Sequence, residues 1–393
     1  MANMDGVQAY IPLSVASIKQ KLLDDSMTDP NNYTGISQIS EMIEALWHHR
    51  LHGCQKSLSS AYELLSPSLS SEKLEMGKTT EFLSVFEEVL KDGNWEEITE
   101  KEIDAALEGE DVFPISLDVR FDEFSTMRLF KLGVLTFENE RKTGFLGFKK
   151  ETVEVDAWDK VLQIISFKDS SWFNSEGKKK HDPGEQGMGL HLRMFNNIPK
   201  LDLEVIFPNT TPNMRNVDKL KIAAPLIGGI VTLGMKFGPV LFGAGSGETS
   251  LSLLGGILSA LGTYILKSYL GYRKTKEKYL SQVSKDLYFK GQANDEAVLN
   301  MVVGLGEDQE VKEALLAYTF LHNNPNQTEE ELDDAIESWL GNHGVIVDFE
   351  VDDAVGKLEE LGLLSKDGDK LSVSDIPTTL TKLDEIWDNL YDY

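Results

Sequence analysis

Cysteine is nearly missing from this chain: Cys54 stands alone in 393 residues, so no disulfide can form within it. A reducing compartment is the expected setting. Positive charge is scarce as well. Lys and Arg total 38 against 65 Asp and Glu, a formal net charge of −27, and this argues against nucleic acid as a partner, because such binding draws on clustered cations that neutralise phosphates. Met1 to Tyr10 has neither the cationic and apolar regions of a secretory signal nor the Arg-rich pattern of an organelle transit peptide. No Ser/His/Asp set, nucleophile elbow or dinucleotide fingerprint stands out. Gly243, Gly245 and Gly247 superficially suggest a phosphate loop, but no Lys-Ser/Thr pair follows and Glu248 sits where a phosphate needs a cation. They read as a turn.

What is present is enough for two or three domains with proper cores, since 41% of the residues are hydrophobic. The acidity is uneven. Residues 307–393 carry 23 acidic and five basic side chains, a net of −18, so this part would repel an anionic surface or meet a basic partner.

Two apolar stretches, Ile222–Phe242 and Leu251–Tyr272, flank the short Gly/Ser loop. At ~1.5 Å of rise per residue each makes a helix of about 31 Å, the thickness of a bilayer's hydrocarbon core. Lys236 and Lys267 lie off centre and can snorkel. Small residues at four-residue spacing, Gly234 with Gly238 and Gly255 with Ser259, would let the two helices approach closely. Arg215, Lys219 and Lys221 precede the pair, and Arg273, Lys274, Lys276 and Lys278 follow it. The positive-inside rule then keeps both termini cytoplasmic. The expectation is a two-pass protein of a prokaryotic inner membrane with the lipid bilayer as a partner; a buried Gly-rich hairpin is the alternative.

Before this hairpin, Ile36 to Leu65 keeps apolar residues at helical spacing, with Thr79–Leu90 and Glu100–Leu107 as shorter helices, the last capped by Thr99. From Val112 the period becomes two, with strands expected at Leu129–Phe137, Thr152–Val155 and Val161–Phe167 in a small antiparallel sheet. Ser170 to Gly189 reads as a mobile loop. In the acidic tail, Glu310–His322, Thr328–Leu340 and Val351–Leu361 read as helices, with a capping box at Thr328 and Glu331 and a β-hairpin turning at Asp367 and Gly368. Three helices and a hairpin describe a winged-helix layout. Its third helix carries Glu350, Asp352, Asp353, Glu359 and Glu360 against Lys357, which favours protein over DNA as its partner.

The expected fold class is an α+β membrane protein. Its parts are an N-terminal helical region (1–111), a β-rich region (112–214), a two-helix transmembrane hairpin (215–278), a connector helix (279–308) and an acidic winged-helix-like domain (309–393).

Arg193–Phe207 (RMFNNIPKLDLEVIF), Asp218–Pro225 (DKLKIAAP), Asp286–Lys290 (DLYFK), Lys312–Phe320 (KEALLAYTF) and Leu383–Asn389 (LDEIWDN) together resemble the domain of unknown function 3754 family. That family includes transmembrane protein 143 of animal mitochondria and plastid and bacterial relatives. The resemblance implies two membrane passes and an acidic helical C-terminal part, and it supplies no reaction or catalytic residues.

Glu44, His48 and His52 are the residues with ligand chemistry, accompanied by His49 and Cys54. Spacing of four places the first three on one helical stripe, and a carboxylate with two imidazoles can hold a divalent transition metal. The plainer reading is a helix surface whose histidines pair with nearby acids. The sequence therefore points to a non-enzymatic, membrane-anchored scaffold or adaptor whose acidic C-terminal domain binds a protein. A metal-dependent enzyme using Glu44, His48 and His52, or a pore-like homo-oligomer, are the alternatives.

Overall fold

The computed structural model describes residues 8–25, 30–108, 116–143, 149–213 and 287–391, with scattered helical positions between 227 and 285. Two long helices form its spine. Helix α2 (Pro30–Glu63) follows α1 (Val15–Asp24), and α6 (Glu296–Asn323) packs along α2. Gln55 Nε2 bonds Asn300 Oδ1 at 2.6 Å and Trp47 Nε1 bonds Glu310 Oε2 at 2.8 Å, so the two run antiparallel.

Each spine helix serves two cores. Ile36, Ile39, Ile43 and Trp47 of α2 meet Ala314, Leu315 and Tyr318 of α6 in one core; Leu58 and Tyr62 meet Val298, Leu299 and Val302 in the other, joined by Leu65 just past the end of α2. The three- and four-residue steps between these positions place them along one side of each helix.

The second core is completed by α3 (Thr79–Asp92) and one face of an antiparallel sheet. Its strands are β1 (Glu96–Glu97), β3 (Phe124–Thr143), β4 (Lys149–Phe167), β5 (His191–Pro199) and β7 (Gly291–Asn294), in the order β1-β3-β4-β5-β7. The other face packs against α4 (Glu100–Glu108) and the 3-10 turn Lys200–Ile206. A separate pair, β2 (Ser116–Val119) with β6 (Thr210–Asn213), lies beside that turn. The expected strands at Thr152–Val155 and Val161–Phe167 are one continuous strand, β4. Being central, it is buried on both faces: Leu162 and Ile164 meet one core, Val161 and Ile165 the other. Two-sided burial removes the alternation that a one-sided strand shows.

The C-terminal unit adds α7 (Glu329–Asn342), α8 (Val351–Glu360), the hairpin β8 (Leu364–Asp367) and β9 (Lys370–Val373), and α9 (Ile376–Asp388). The capping box at α7 is formed: Thr328 Oγ1 accepts from Glu331 N at 3.1 Å and Glu331 Oε2 from Thr328 N at 2.8 Å. Thr99 and Glu102 make the same exchange at α4.

The architecture is α+β with an antiparallel sheet, and the transmembrane part of the expected fold is corrected. Among the described residues no helix is long and apolar enough to cross a membrane. The described helices that have the length, α2 and α6, interleave their apolar positions with charge: Glu41, Glu44, Arg50 and Lys56 on one, Glu307, Asp308, Glu310 and Glu313 on the other. Such charges oppose insertion. The hairpin at 222–242 and 251–272 falls largely outside the described residues, so neither the two-pass topology nor the prokaryotic inner-membrane address is carried forward. Of the flanking cations, Arg215, Lys219, Lys221 and Lys276 lie outside the described residues; Lys274 and Lys278 are exposed, and Arg273 pairs with Glu277 at 3.1 Å.

Candidate functional site

The histidine stripe is present on α2, but its members point to different neighbours. His48 Nδ1 lies 3.1 Å from Glu307 Oε2 and His52 Nδ1 lies 3.4 Å from Gln55 Oε1. Their rings stack with centroids 6.2 Å apart, while His49 turns its edge to Tyr391. Glu44 is exposed, and Cys54 is half-buried, its thiol pushed up by burial and by Asp92 and Glu88. Among the described residues no three His, Cys, Asp or Glu side chains come together as a metal would require.

A different charged group is brought together where α2, α6 and α8 meet. Lys357 points inward from α8 and pairs with Glu313, with Glu310 at 3.0 Å and with Asp353 at 2.6 Å. Glu313 also accepts from Gln309 Nε2 at 2.6 Å and Asn94 Nδ2 at 3.0 Å. Burial alone would lower the Lys357 pKa, but Glu313, Glu310 and Asp353 outweigh it and hold the ammonium above the usual lysine range. Burial raises the Glu310 and Glu313 carboxyls against the pull of the same lysine. Beside Glu313 in the sequence, Lys312, 1% exposed, donates to Ile11 O at 3.0 Å, pairs with Asp308 at 2.6 Å and lies over the Tyr10 ring. The clue in the sequence was Lys312 and Glu313 heading an otherwise apolar run, a pattern that periodicity assigns to a helix without saying what the charges meet.

This inward lysine leaves the outer face of the C-terminal unit acidic. Residues 307–393 contain five lysines, and every one is engaged elsewhere. Lys312 and Lys357 are buried, Lys366 pairs with Glu359, Lys370 pairs with Glu331, and Lys382 donates to Gly362 O. Asp333 consequently faces acids alone among its strongest charged neighbours. Desolvation, then Glu337, Asp348, Asp334 and Asp352, push its carboxyl up to about 6.

On the far side of the sheet, the segment that reads as a mobile loop is folded and fixed. Asp169 caps α5 (Ser170–Ser175), accepting from Trp172 N at 2.8 Å. Glu123, buried completely, accepts from Arg120 Nε at 2.6 Å and Asn209 Nδ2 at 3.1 Å and holds His181 Nδ1 at 2.9 Å. Lys178 pairs with Asp122. Gly189 has φ +84°, and a Cβ there would lie 2.8 Å from Leu65 O, so only glycine lets the loop settle on the Leu65–Pro67 turn. The loop walls one side of a half-open cavity of about 570 Å³ against the ends of β3 and β4. Its residue types are those of any polar loop, which is why the sequence does not reveal it.

The fold and these sites define an α+β protein with an antiparallel sheet and an acidic C-terminal helical unit. Residues 158–297 match the family described as "Protein of unknown function (DUF3754)", which shows the resemblance read from the sequence over that stretch. The matched residues include the loop and part of the cavity lining, leave out Ser71, Leu74, Met76 and Ser125, and stop at the start of α6. No solved structure matches the chain.

Proposed function

We propose that this protein acts by binding: the acidic face of its C-terminal unit receives a basic segment of a partner protein, making the chain an adaptor rather than an enzyme. The observation that supports this reading is the Asp333 group. Four further carboxylates crowd it, and every lysine of the unit is turned away to another partner. Like charges so arranged cost stability in the free protein, and a basic ligand relieves that cost on binding. The third helix of the unit, α8, presents Asp352, Glu359 and Glu360 outward, which disfavours a phosphate backbone and suits Arg and Lys side chains.

The test compares capture by the full chain with capture by a variant carrying Asp333→Asn, Asp348→Asn and Asp352→Asn. A basic protein held by the wild type at low salt, released at high ionic strength and lost from the variant is the expected result. Equal capture by the two proteins overturns the reading.

A further inference from the structure

The cavity beneath the folded loop has the size of a small-molecule site, since such pockets run to roughly 300–1,000 Å³. Its walls mix two chemistries. Leu74, Met76, Phe167 and Met188 supply an apolar surface, while Lys168 and Asp182 bring one charge of each sign. Neither charge is closed off by an ion pair within the lining, although Asp122, outside the cavity, feels the charge of Lys168. Lys168 forms no ion pair among the described residues; its ammonium rests 4.4 Å from the ring centroid of Trp172, and an aromatic face positions a cation without neutralising it. Asp182 also lacks an ion pair among the described residues, and its Oδ1 accepts only the Gly184 N–H, at 2.9 Å. The third charged group of the lining, Asp169, is committed to the cap of α5 through Trp172 N and Ser171 Oγ.

The walls are set before any ligand arrives. Lys168 N donates to Glu123 O at 2.9 Å and Leu190 N to Leu65 O at 2.8 Å, tying both ends of the loop to the body of the protein. A preformed cavity avoids the ordering cost that a mobile loop would impose on binding.

We propose that this cavity binds a small apolar zwitterion of the amino-acid type, its carboxylate meeting Lys168 and its ammonium meeting Asp182. A cation and a carboxylate without an ion pair in one partly apolar cleft complement a ligand that carries both charges, whereas a ligand with one charge leaves the other group unmatched. Trp172 is a positioning residue here. It keeps the Lys168 ammonium at the cavity wall. The inference stands apart from the acidic-face reading, because the two sites share no residue.

The experiment is calorimetric titration of the full chain with leucine, N-acetylleucine and leucinamide, which differ in the charges they keep. Leucine is expected to bind at least about tenfold more tightly than either derivative, the contribution of one charge-assisted hydrogen bond. Lys168→Gln should reduce leucine to the affinity of leucinamide, and Lys168→Arg should retain most of the wild-type preference. Asp182→Asn, which keeps the oxygen that accepts from Gly184 N, should reduce leucine to the affinity of N-acetylleucine. Three indistinguishable affinities, no heat from leucine up to its solubility, or variants that discriminate as the wild type does would each overturn the proposal.

Discussion

Glu123 is a buried carboxylate met by Arg120, His181 and Asn209, whereas Lys357 is a buried ammonium met by Glu310, Glu313 and Asp353. In the first arrangement two of the three donors around the acid reach water, the Arg120 and His181 side chains being 21% and 40% exposed, while Asn209 is buried. The second encloses one cation among acids, two of which, Glu310 and Glu313, are 12% and 2% exposed. Removing the central group should therefore cost different amounts. Donors left behind near the surface can turn to solvent, but carboxylates left behind in a closed junction cannot.

Lys357→Met should sharpen this contrast most. It leaves Glu310 and Glu313 uncompensated and is expected to cost about 3–5 kcal/mol, measured by urea unfolding of the full chain; adding Glu313→Gln should restore part of the loss. Glu123→Gln keeps the shape of the side chain and should cost less, about 2–3 kcal/mol, by the same measurement. Equal losses for the two variants would remove the distinction between the sites.

The smallest effect concerns Asp333, where acids meet without a central cation. Its carboxyl is raised from 3.8 to about 6 in the folded protein, so the folded state holds the proton more tightly than the unfolded chain does. Stability then falls as pH rises from about 4 through 6. Asp333→Asn should raise the melting temperature by about 1–2 °C near pH 7.5, a gain of some tenths of a kcal/mol at a half-exposed position, and by nothing near pH 4. A gain that persists at pH 4 would show that repulsion is not its source.

Local signals were legible in the chain, and contacts between distant residues were not. The cap at Thr99, the capping box at Thr328, the helical stripe from Ile36 to Trp47 and the alternation along Leu129–Phe137 each depend on neighbours within a few residues, and each element forms. Strand β4 was divided because burial on both faces erases its period. The Lys357 group joins residues on α2, α6 and α8, and the Glu123 group joins residues up to 89 positions apart; side chains so separated announce nothing by spacing. The stripe of Glu44, His48 and His52 shows the converse. Helical spacing set its residues on one side of α2, but a shared ligand also needs their donor atoms to converge, and His48 turns instead to Glu307. The apolar hairpin rests on length, hydropathy, small-residue spacing and flanking cations, all local features, and its correction rests on the described helices, none of which is long and apolar enough to cross a membrane.

The antiparallel pairing of α2 with α6 has a mechanical consequence. Because Trp47 and Tyr62 lie on one rod and Val298 and Leu315 on the other, neither hydrophobic centre can melt while the other keeps its helices whole. A push delivered at the acidic end should travel along these two struts to the sheet, and cutting the chain between the centres would yield two halves that each lack a wall.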